Sequence, residues 1–328
     1  MKNIAVVGAT GLVGRTILKV IEERNIPFNK LYLYASSRSA GKKIDFKGKQ
    51  YEIIELKDEN IKEDIDFALF SAGGSTSLEF APKFAAKGAK VIDNSSAWRM
   101  NDEVPLIVPE ANISAADNMI KGIIANPNCS TIQVIPVLKV LEDNFGLKRV
   151  IYSTYQSVSG AGIKGLDDLE NNLKGESSTN FPSQIAFNLI PHIDTFLENG
   201  YTKEEMKMIN ETRKILNRPD LKVSATCVRV PVRYSHSVSV NVELNSKFEV
   251  EKVKELLSNS NGIILLDDVK NNVYPMPLIT EGKDEVFVGR IRRDETVDNG
   301  LNLWVVADNI RKGAATNAVQ ILELLLDK

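Results

Sequence analysis

A turn with glycine at every third position joins the first apolar run of the chain to its first helical pattern. It reads Gly8-Ala9-Thr10-Gly11-Leu12-Val13-Gly14, between an apolar run at 4–7 and a segment, 11–24, whose apolar residues recur three and four apart. Small residues at such a junction let backbone N–H groups at a helix start approach a pyrophosphate. The spacing departs from the common GxGxxG, and a plain strand-to-helix turn is the alternative. The feature predicts a βα unit and indicates a dinucleotide site.

Short apolar runs alternate with helical patterns over the first 125 residues. The runs lie at 4–7, 31–35, 51–56, 66–70, 90–93, 106–108 and 120–125. Helical spacing appears between them at 11–24 and 76–87. Buried strands separated by helices predict a mostly parallel sheet that is covered on both faces.

The second half of the chain has longer runs that come closer to strict alternation, at 150–157, 223–232, 235–244, 284–293 and 301–307. Valines at every second position of 235–244 are typical of a strand with one buried face. We predict an antiparallel sheet with one covered face, with helices at about 161–174, 202–216 and 249–259. A final helical pattern covers 309–326.

The different apolar patterns of the two halves predict two domains in 328 residues. The first is a Rossmann-like α/β domain over 1–127, completed by a C-terminal helix at 308–328. The second, over 128–307, is an α+β domain built on the mostly antiparallel sheet.

Composition excludes several classes of protein. The chain has 41 Lys and Arg and 43 Asp and Glu, which gives a net charge of −2. It therefore has no strong electrostatic field that would attract nucleic acid or an anionic membrane. No apolar run approaches the roughly 20 residues that span a bilayer, and the N-terminus lacks the layout of a signal peptide. Two cysteines and two histidines argue against a disulfide framework or a metal site made of protein ligands. We expect a cytoplasmic enzyme.

The segment after the second predicted strand indicates which dinucleotide binds. It reads Tyr34-Ala35-Ser36-Ser37-Arg38-Ser39-Ala40-Gly41-Lys42-Lys43 and has no carboxylate to bind a ribose 2′-hydroxyl. Hydroxyl groups, a guanidinium and two lysines suit a 2′-phosphate, which favours NADP(H). A solvated basic loop is the alternative.

A cysteine at the start of a helical pattern is the candidate nucleophile. Cys129 lies in Asn126-Pro127-Asn128-Cys129-Ser130-Thr131, where a helix dipole favours thiolate over thiol. A capping segment with an incidental cysteine is the alternative. Cys227 lies within an alternating strand pattern, which is typical of a structural cysteine. The neighbours of His192 predict a buried, hydrogen-bonded ring, whereas His236 follows an arginine-bearing segment at a strand start. Thiolate, imidazole, arginine and nicotinamide together suggest acyl chemistry through a thioester.

Six motifs occur in order across the chain: 8–14, 93–99, 126–131, 156–162, 204–207 and 229–236. With them the sequence strongly resembles the aspartate-β-semialdehyde dehydrogenase family. The resemblance implies NADPH-dependent reductive dephosphorylation of 4-phospho-L-aspartate to L-aspartate 4-semialdehyde, in lysine, threonine and methionine biosynthesis. It also implies that the second domain is catalytic and dimerises, giving a homodimer or a tetramer.

The resemblance also implies a role for each matching residue. Cys129 is then the nucleophile, His236 the general acid/base and Gln156 the group that positions the thiohemiacetal or acyl group. Arg99 and Lys207 hold phosphate, Arg229 the substrate carboxylate and Glu204 its amino group. The residues expected to bind the cofactor are Gly8, Thr10, Gly11, Leu12, Val13, Arg38, Ser39, Ser159, Gly160 and Asn309. Asn309 rests on a less specific stretch than the others.

Three other functions compete. An N-acetyl-γ-glutamyl-phosphate reductase also reacts through a thioester. Asn128 disfavours it, since glycine is expected there, and so does Glu204, which has no role in binding an acetylated amine. A glyceraldehyde-3-phosphate dehydrogenase-like enzyme calls for an acidic residue near Arg38. A non-catalytic NADP sensor leaves Cys129 and His236 unexplained.

Overall fold

The computed structural model describes residues 1–326 and divides the chain into two compact units. The first unit contains Met1–Asn128 together with the C-terminal segment from Ala314, and the second is Cys129–Gly313. The last two residues of the segment predicted at 308–328 lie outside the described residues.

The strands and helices are numbered along the chain. The strands are β1 Ile4–Val7, β2 Leu31–Ala35, β3 Lys43–Phe46, β4 Lys49–Glu55, β5 Phe67–Phe70, β6 Lys90–Asp93, β7 Ile123–Ala125, β8 Leu147–Gln156, β9 Lys222–Arg229, β10 His236–Leu244, β11 Ile263–Leu265, β12 Val286–Asp294 and β13 Gly300–Ala307. The α-helices are α1 Leu12–Glu23, α2 Gly74–Ala86, α3 Pro109–Asn112, α4 Cys129–Phe145, α5 Ile163–Leu173, α6 Lys203–Ile215, α7 Val250–Ser258, α8 Pro277–Thr280 and α9 Asn317–Leu326.

The sheet of the first unit has the order β3-β4-β2-β1-β5-β6-β7, and every pair is parallel except β3 with β4. The predicted Rossmann-like parallel sheet is therefore confirmed. The strands β1, β2, β5, β6 and β7 bury nearly every side chain, as expected where helices cover both faces. The buried faces of α1 and α9 belong to the same core, with Ile17, Ile21, Ile321 and Leu322 among its members.

Two details of this sheet differ from the prediction. The run at 106–108 is no strand but a single bridge between Leu106 and Ala125. The edge hairpin β3–β4 was not predicted; its turn residues Lys47 and Gly48 both have positive φ, as a two-residue type I′ turn requires. Lysine is uncommon in a type I′ turn, so the sequence gives only a weak local signal for this hairpin.

The sheet of the second unit has the order β11-β12-β13-β10-β8-β9. The three central pairs are antiparallel and the outer pairs β11–β12 and β8–β9 are parallel, which confirms the predicted mostly antiparallel sheet. Val238, Val240 and Val242 of β10 are buried in one core with α4, since alternate side chains of a strand point to the same face.

The C-terminal helical pattern forms in two parts. A π-helical turn occupies Arg311–Thr316, and α9 follows it. Within residues 1–326, no helix combines the length and apolar character needed to cross a bilayer.

Candidate active site

Strand register brings four predicted site residues to one edge of the second sheet. Gln156 ends β8 and pairs with Arg229, the last residue of β9. The antiparallel strand β10 begins at this edge with His236, which pairs with Ala307 at the end of β13. Asn309 follows two residues later. The carboxyl ends of three strands and the start of a fourth therefore converge.

Cys129 is the first residue of α4 and is partly exposed. Residues four apart share a helix face, so Gln133 lies one turn below the thiol. The Gln133 amide donates to the backbone carbonyl of His236 over 3.2 Å, which links this face of α4 to the start of β10. Gly313 leaves space beside the cysteine, because a Cβ atom there would lie 3.0 Å from Cβ of Cys129.

His236 is fully buried, and its two ring nitrogens have different surroundings. Nδ1 lies 3.0 Å from the backbone nitrogen of Ser157 and 3.0 Å from its hydroxyl oxygen. Nε2 has no hydrogen-bond partner among the described residues. Burial, reinforced by the charge of Arg229, lowers the pKa of His236 to about 3, although Glu204 acts in the opposite direction. The ring is therefore neutral at pH 7, with one nitrogen available to the site.

Arg229 is buried beside the imidazole. Its Nη1 donates to the carbonyl oxygen of Ser157 over 2.7 Å, and its guanidinium lies over the ring of Phe181. Burial lowers the pKa of Arg229, and the charge of Glu204 partly offsets that effect. A Cβ atom on Gly160 would lie 2.8 Å from Nη1 of Arg229 and 3.3 Å from Nε2 of His236. Only glycine leaves this approach open.

A chain of polar contacts connects Gln156 to α6. The amide of Gln156 donates to Glu204 over 3.1 Å, and Nζ of Lys207 lies 3.0 Å from Glu204 and 2.7 Å from Asp194. Burial by itself lowers the pKa of Lys207, but the two carboxylates more than compensate and raise it. Thr202 and Glu205 form a capping box at the helix start, which fixes the first turn that carries Glu204.

Arg99 belongs to the first unit. Its Nε and Nη2 donate to the backbone carbonyls of Asn126 and Asn94 over 2.9 and 3.0 Å, and its side chain is buried. This anchoring holds the guanidinium in one orientation.

Glycine is required at two positions of the turn at 8–14. A Cβ on Gly8 would lie 2.3 Å from the carbonyl oxygen of Ser71, and one on Gly14 would lie 2.1 Å from that of Gly8. Gly11 has an ordinary φ of −73°, and its Cβ would meet only the Gly8 oxygen, at 3.4 Å. The absence of a side chain at Gly11 is therefore not explained by packing within the protein.

The start of α1 is suited to an anion. No side chain caps it and its first turn has no acidic residue, so no capping side chain competes for its first N–H groups. Thr10, Leu12 and Val13 are half-exposed there. Parallel pairing of β1 with β2 brings the segment after β2 to the same edge of the sheet. That segment carries exposed Arg38 and half-exposed Ser39 in a short 3₁₀ turn.

Ser159 and Asn309 lie within a buried polar network. Oδ1 of Asn309 accepts from the backbone N–H of Ser235 over 2.9 Å and lies 3.0 Å from the hydroxyl of Ser157. Its Nδ2 donates to the hydroxyl of Ser159 over 3.0 Å. The network extends to Thr280, which donates to the hydroxyl of Ser235.

Gln133, Ser157, Asp194 and Gly313 lie at the site but are not predicted from the sequence. Helical spacing from Cys129 and adjacency to Gln156 are signals that could have found Gln133 and Ser157. His192 was predicted to be buried, but it is half-buried and stacks on Phe196 at 4.3 Å. Cys227 is fully buried, and burial raises the pKa of its thiol. Among residues 1–326, no three metal-ligating side chains form a group.

Known proteins match the whole chain. A family model described as "Semialdehyde dehydrogenase, NAD binding domain" matches residues 3–119, and one described as "Semialdehyde dehydrogenase, dimerisation domain" matches residues 138–312. An aspartate-semialdehyde dehydrogenase of Aquifex aeolicus is 59% identical over 99% of this chain and 98% of its own.

Solved structures agree with these matches. Aspartate semialdehyde dehydrogenase II of Vibrio cholerae, complexed with ASA, is 47% identical with a TM-score of 0.96, over 100% of this chain and 99% of its own. The aspartate semialdehyde dehydrogenase of Candida albicans with NADP is 26% identical with a TM-score of 0.78, over 99% of this chain and 98% of its own.

Proposed function

The chain belongs to the aspartate-semialdehyde dehydrogenase family, and we propose from that premise that Cys129 is its nucleophile and His236 the acid/base that serves it. The reaction is the NADPH-dependent reductive dephosphorylation of 4-phospho-L-aspartate to L-aspartate 4-semialdehyde, which is reversible. No observation favours the acetylglutamyl-phosphate reductase or the non-catalytic sensor. The convergence of Gln156, Arg229 and His236 at one sheet edge is the observation that carries the assignment of roles.

The residues of the first unit fit an NADP molecule. Gly8 and Gly14 form a turn that a Cβ would fill, Gly11 is open, and the start of α1 lacks acidic residues. These glycines with Thr10, Leu12 and Val13 would hold the pyrophosphate, and Arg38 with Ser39 the 2′-phosphate. Ser159, Gly160 and Asn309 are proposed cofactor contacts of the second unit. When bound, NADPH supplies the hydride that reduces the acyl carbon.

The thiol of Cys129 forms the covalent bond to substrate. Its thiolate attacks the acyl carbon of 4-phospho-L-aspartate, the C–O bond to phosphate breaks, and an acyl thioester results. The position of Cys129 at the start of α4 favours the anion, because a helix N-terminus carries partial positive charge. Backbone N–H groups of the same turn are donors for the developing oxyanion.

His236 exchanges a proton with sulfur. When the thiohemiacetal collapses, the C–S bond breaks and the ring returns a proton from Nε2 to the leaving sulfur. The buried environment withholds solvent from this step, and Nε2 has no competing partner among the described residues. Gln156 positions the acyl group beside it.

Substrate charges are matched by the remaining residues. Arg229 is proposed to bind the α-carboxylate, since a guanidinium offers fixed paired donors. Glu204 is proposed to bind the ammonium group, and Lys207 with Arg99 the phosphate. In the free protein Glu204 and Lys207 pair with each other and with neighbours, which keeps both side chains oriented before substrate arrives.

The chain is proposed to act as a cytoplasmic homodimer, with a tetramer as a further state. The dimerisation-domain match supports an oligomer built through the second unit. Light scattering on the purified protein measures this mass directly.

The experiment that tests the function follows NADPH absorbance in the oxidative direction. Enzyme, NADP and phosphate are mixed with L-aspartate 4-semialdehyde or, in parallel, with N-acetyl-glutamate semialdehyde. Phosphate-dependent NADPH formation with the aspartate aldehyde alone is expected. Activity only with the acetylated aldehyde assigns the chain to the rival reductase, and no activity with either from folded, reduced protein supports the binding-protein alternative.

A further inference from the structure

One buried carboxylate of the second unit has no part in the proposed chemistry. Asp168 lies in α5 and is fully buried. One of its oxygens accepts from the backbone N–H of Thr179 over 2.8 Å and from the hydroxyl of the same residue over 3.0 Å. The other oxygen accepts from the backbone N–H groups of Asn180 and Phe181 over 2.8 and 2.7 Å. Three consecutive N–H groups are therefore bound to a single side chain.

These hydrogen bonds favour the charged form of Asp168. Burial by itself raises the pKa of the carboxyl, but the three N–H groups and the hydroxyl of Thr179 more than compensate and lower it. The side chain is therefore a carboxylate at pH 7. Hydrogen bonds to a charged acceptor are roughly twice as strong as those between neutral groups, so this contact holds residues 179–181 firmly against α5.

Asn172 holds the remainder of the same loop. It lies four residues after Asp168 and therefore on the same face of α5. Its Oδ1 accepts from the backbone N–H of Ile185 over 2.7 Å, and its Nδ2 donates to the carbonyl oxygen of Glu176 over 3.0 Å. Two buried polar side chains of one helix thus fix a loop that has no helix or strand of its own.

The loop leads to Arg229, the residue proposed to bind the substrate α-carboxylate. The backbones of Ile190 and Arg229 exchange two hydrogen bonds, of 3.0 and 2.8 Å. Phe181 is half-buried and packs against the apolar cluster that contains Ile185 and Ile190. The guanidinium carbon of Arg229 lies over the ring of Phe181, 5.7 Å from its centroid. This distance is that of a cation–π contact.

An aromatic ring orients an arginine without occupying its hydrogen-bond donors. The N–H groups of a guanidinium lie at its edge, whereas the contact with a ring uses its face. Nη1 of Arg229 donates to the carbonyl oxygen of Ser157 over 2.7 Å, and the ring of Phe181 supports the face. The guanidinium is thereby held in one plane, which paired recognition of a carboxylate requires.

We propose that Phe181 is a positioning residue for Arg229, that its ring keeps the guanidinium oriented toward the α-carboxylate of the substrate, and that Asp168 holds Phe181 in place. This rests on the proposed function, in which Arg229 binds that carboxylate. Without the ring the guanidinium turns more freely, so the substrate binds more weakly. The proposed chemistry at Cys129 and His236 is not altered, and bound substrate reacts at its usual rate.

The test is Phe181→Leu, assayed with NADP, phosphate and L-aspartate 4-semialdehyde. We expect KM for the semialdehyde to rise about tenfold, with kcat within about threefold and KM for NADP and phosphate within about twofold. Phe181→Tyr keeps the aromatic face, so its KM should stay within about threefold of wild type. Phe187→Leu is the matched control, because it makes the same change in the same loop at a ring that is 88% exposed. Its KM should equal that of wild type.

Asp168→Asn tests the anchor of the ring. An amide offers one acceptor oxygen in place of two, so part of residues 179–181 is released and KM for the semialdehyde should rise about threefold to tenfold. Because Asp168 acts through Phe181, the double variant should lie within about twofold of the more affected single variant. Single effects that multiply in the double variant contradict this route.

Unchanged KM for the semialdehyde in Phe181→Leu, or equal KM in Phe181→Leu and Phe181→Tyr, overturns the proposal. A loss of kcat together with a rise in all three KM values also overturns it, because a disturbed fold moves every constant.

Arg229→Ala separates this result from a failure of the proposed function. If Arg229→Ala raises KM for the semialdehyde at least about a hundredfold while Phe181→Leu matches wild type, only the role of Phe181 is wrong. If Arg229→Ala has the KM of wild type, the assignment of Arg229 to the carboxylate is wrong. A wild-type enzyme that forms no NADPH with phosphate and semialdehyde overturns the proposed function as a whole.

Discussion

The side-chain amide of Gln133 donates a 3.2 Å hydrogen bond to the backbone carbonyl of His236. These residues are 103 positions apart in sequence, yet this bond joins the helix that begins with Cys129 to the strand that begins with His236. The thiol and the imidazole are thus held by two rigid elements rather than by loops. This placement accounts for the pairing of a nucleophile with an acid/base that the proposed chemistry needs.

The buried, neutral state of His236 predicts a stability that depends on pH. The pKa of the ring is about 3 in the folded protein against 6.5 in an unfolded chain. Between these values the unfolded chain binds a proton that the folded protein does not, so stability is lost as pH falls from about 6.5 toward 3. The free energy of unfolding should fall by about 1.4 kcal/mol per pH unit from this group.

Denaturant unfolding of wild type and His236→Asn at several pH values measures this contribution. Between pH 6.5 and 3, the free energy of unfolding of the variant should fall less steeply than that of wild type, by about 1.4 kcal/mol per pH unit. Parallel curves for the two proteins contradict a neutral, buried His236.

Alanine at two glycines of the dinucleotide turn should separate folding from binding. Gly14→Ala places a Cβ 2.1 Å from a backbone oxygen and should lower the free energy of unfolding by about 1–3 kcal/mol. Gly11→Ala meets only an ordinary contact, so its stability should stay within about 0.5 kcal/mol of wild type. Its KM for NADPH should rise at least about tenfold, because the Cβ obstructs the pyrophosphate. Normal KM in Gly11→Ala argues against a cofactor at this turn.

Arg38→Ala tests the 2′-phosphate assignment. A lost hydrogen bond to a charged group is worth about 1.5–3 kcal/mol, so KM for NADPH should rise about tenfold or more, with KM for NADH within about twofold. Lys49→Ala, which removes an exposed cation on β4, is the control. An equal rise in KM for NADPH and NADH in Arg38→Ala means that the guanidinium does not bind the 2′-phosphate.

Glu204→Gln tests recognition of the substrate ammonium group. The change removes the charge that pairs with Lys207 and keeps the shape of the side chain. KM for L-aspartate 4-semialdehyde should rise about tenfold or more, with a smaller effect on kcat. Glu198→Gln, at an exposed acidic residue before α6, is the control. A large loss of kcat with KM unchanged gives Glu204 a different role.

The sequence predicted well those elements of the fold that carry a clear period. Alternating valines predicted β10, and apolar spacing of three and four predicted α1. The parallel pairing of β8 with β9 and the isolated bridge at Leu106 depend on contacts between distant segments, which no local pattern encodes.

The residues of the site likewise divide into those that a local pattern predicts and those that depend on contacts between distant segments. Residue types and motifs pointed to Cys129 and His236. That Ser157 contacts Nδ1 and that Asp194 pairs with Lys207 follows from tertiary structure alone. Adjacency to Gln156 is the one local signal for Ser157, and the pairing of Asp194 with Lys207 leaves none in spacing or composition.

The central claim is a thioester on Cys129, and its most direct measurement is acid-quenched mass spectrometry. Enzyme is mixed with NADP and L-aspartate 4-semialdehyde without phosphate, so that the acyl-enzyme accumulates. We expect an aspartyl adduct on the peptide that contains Cys129, its removal by added phosphate, and its absence in Cys129→Ala. Cys227→Ala, which alters a fully buried thiol, should form the adduct normally. An adduct on Cys227, or turnover by Cys129→Ala, would contradict the account.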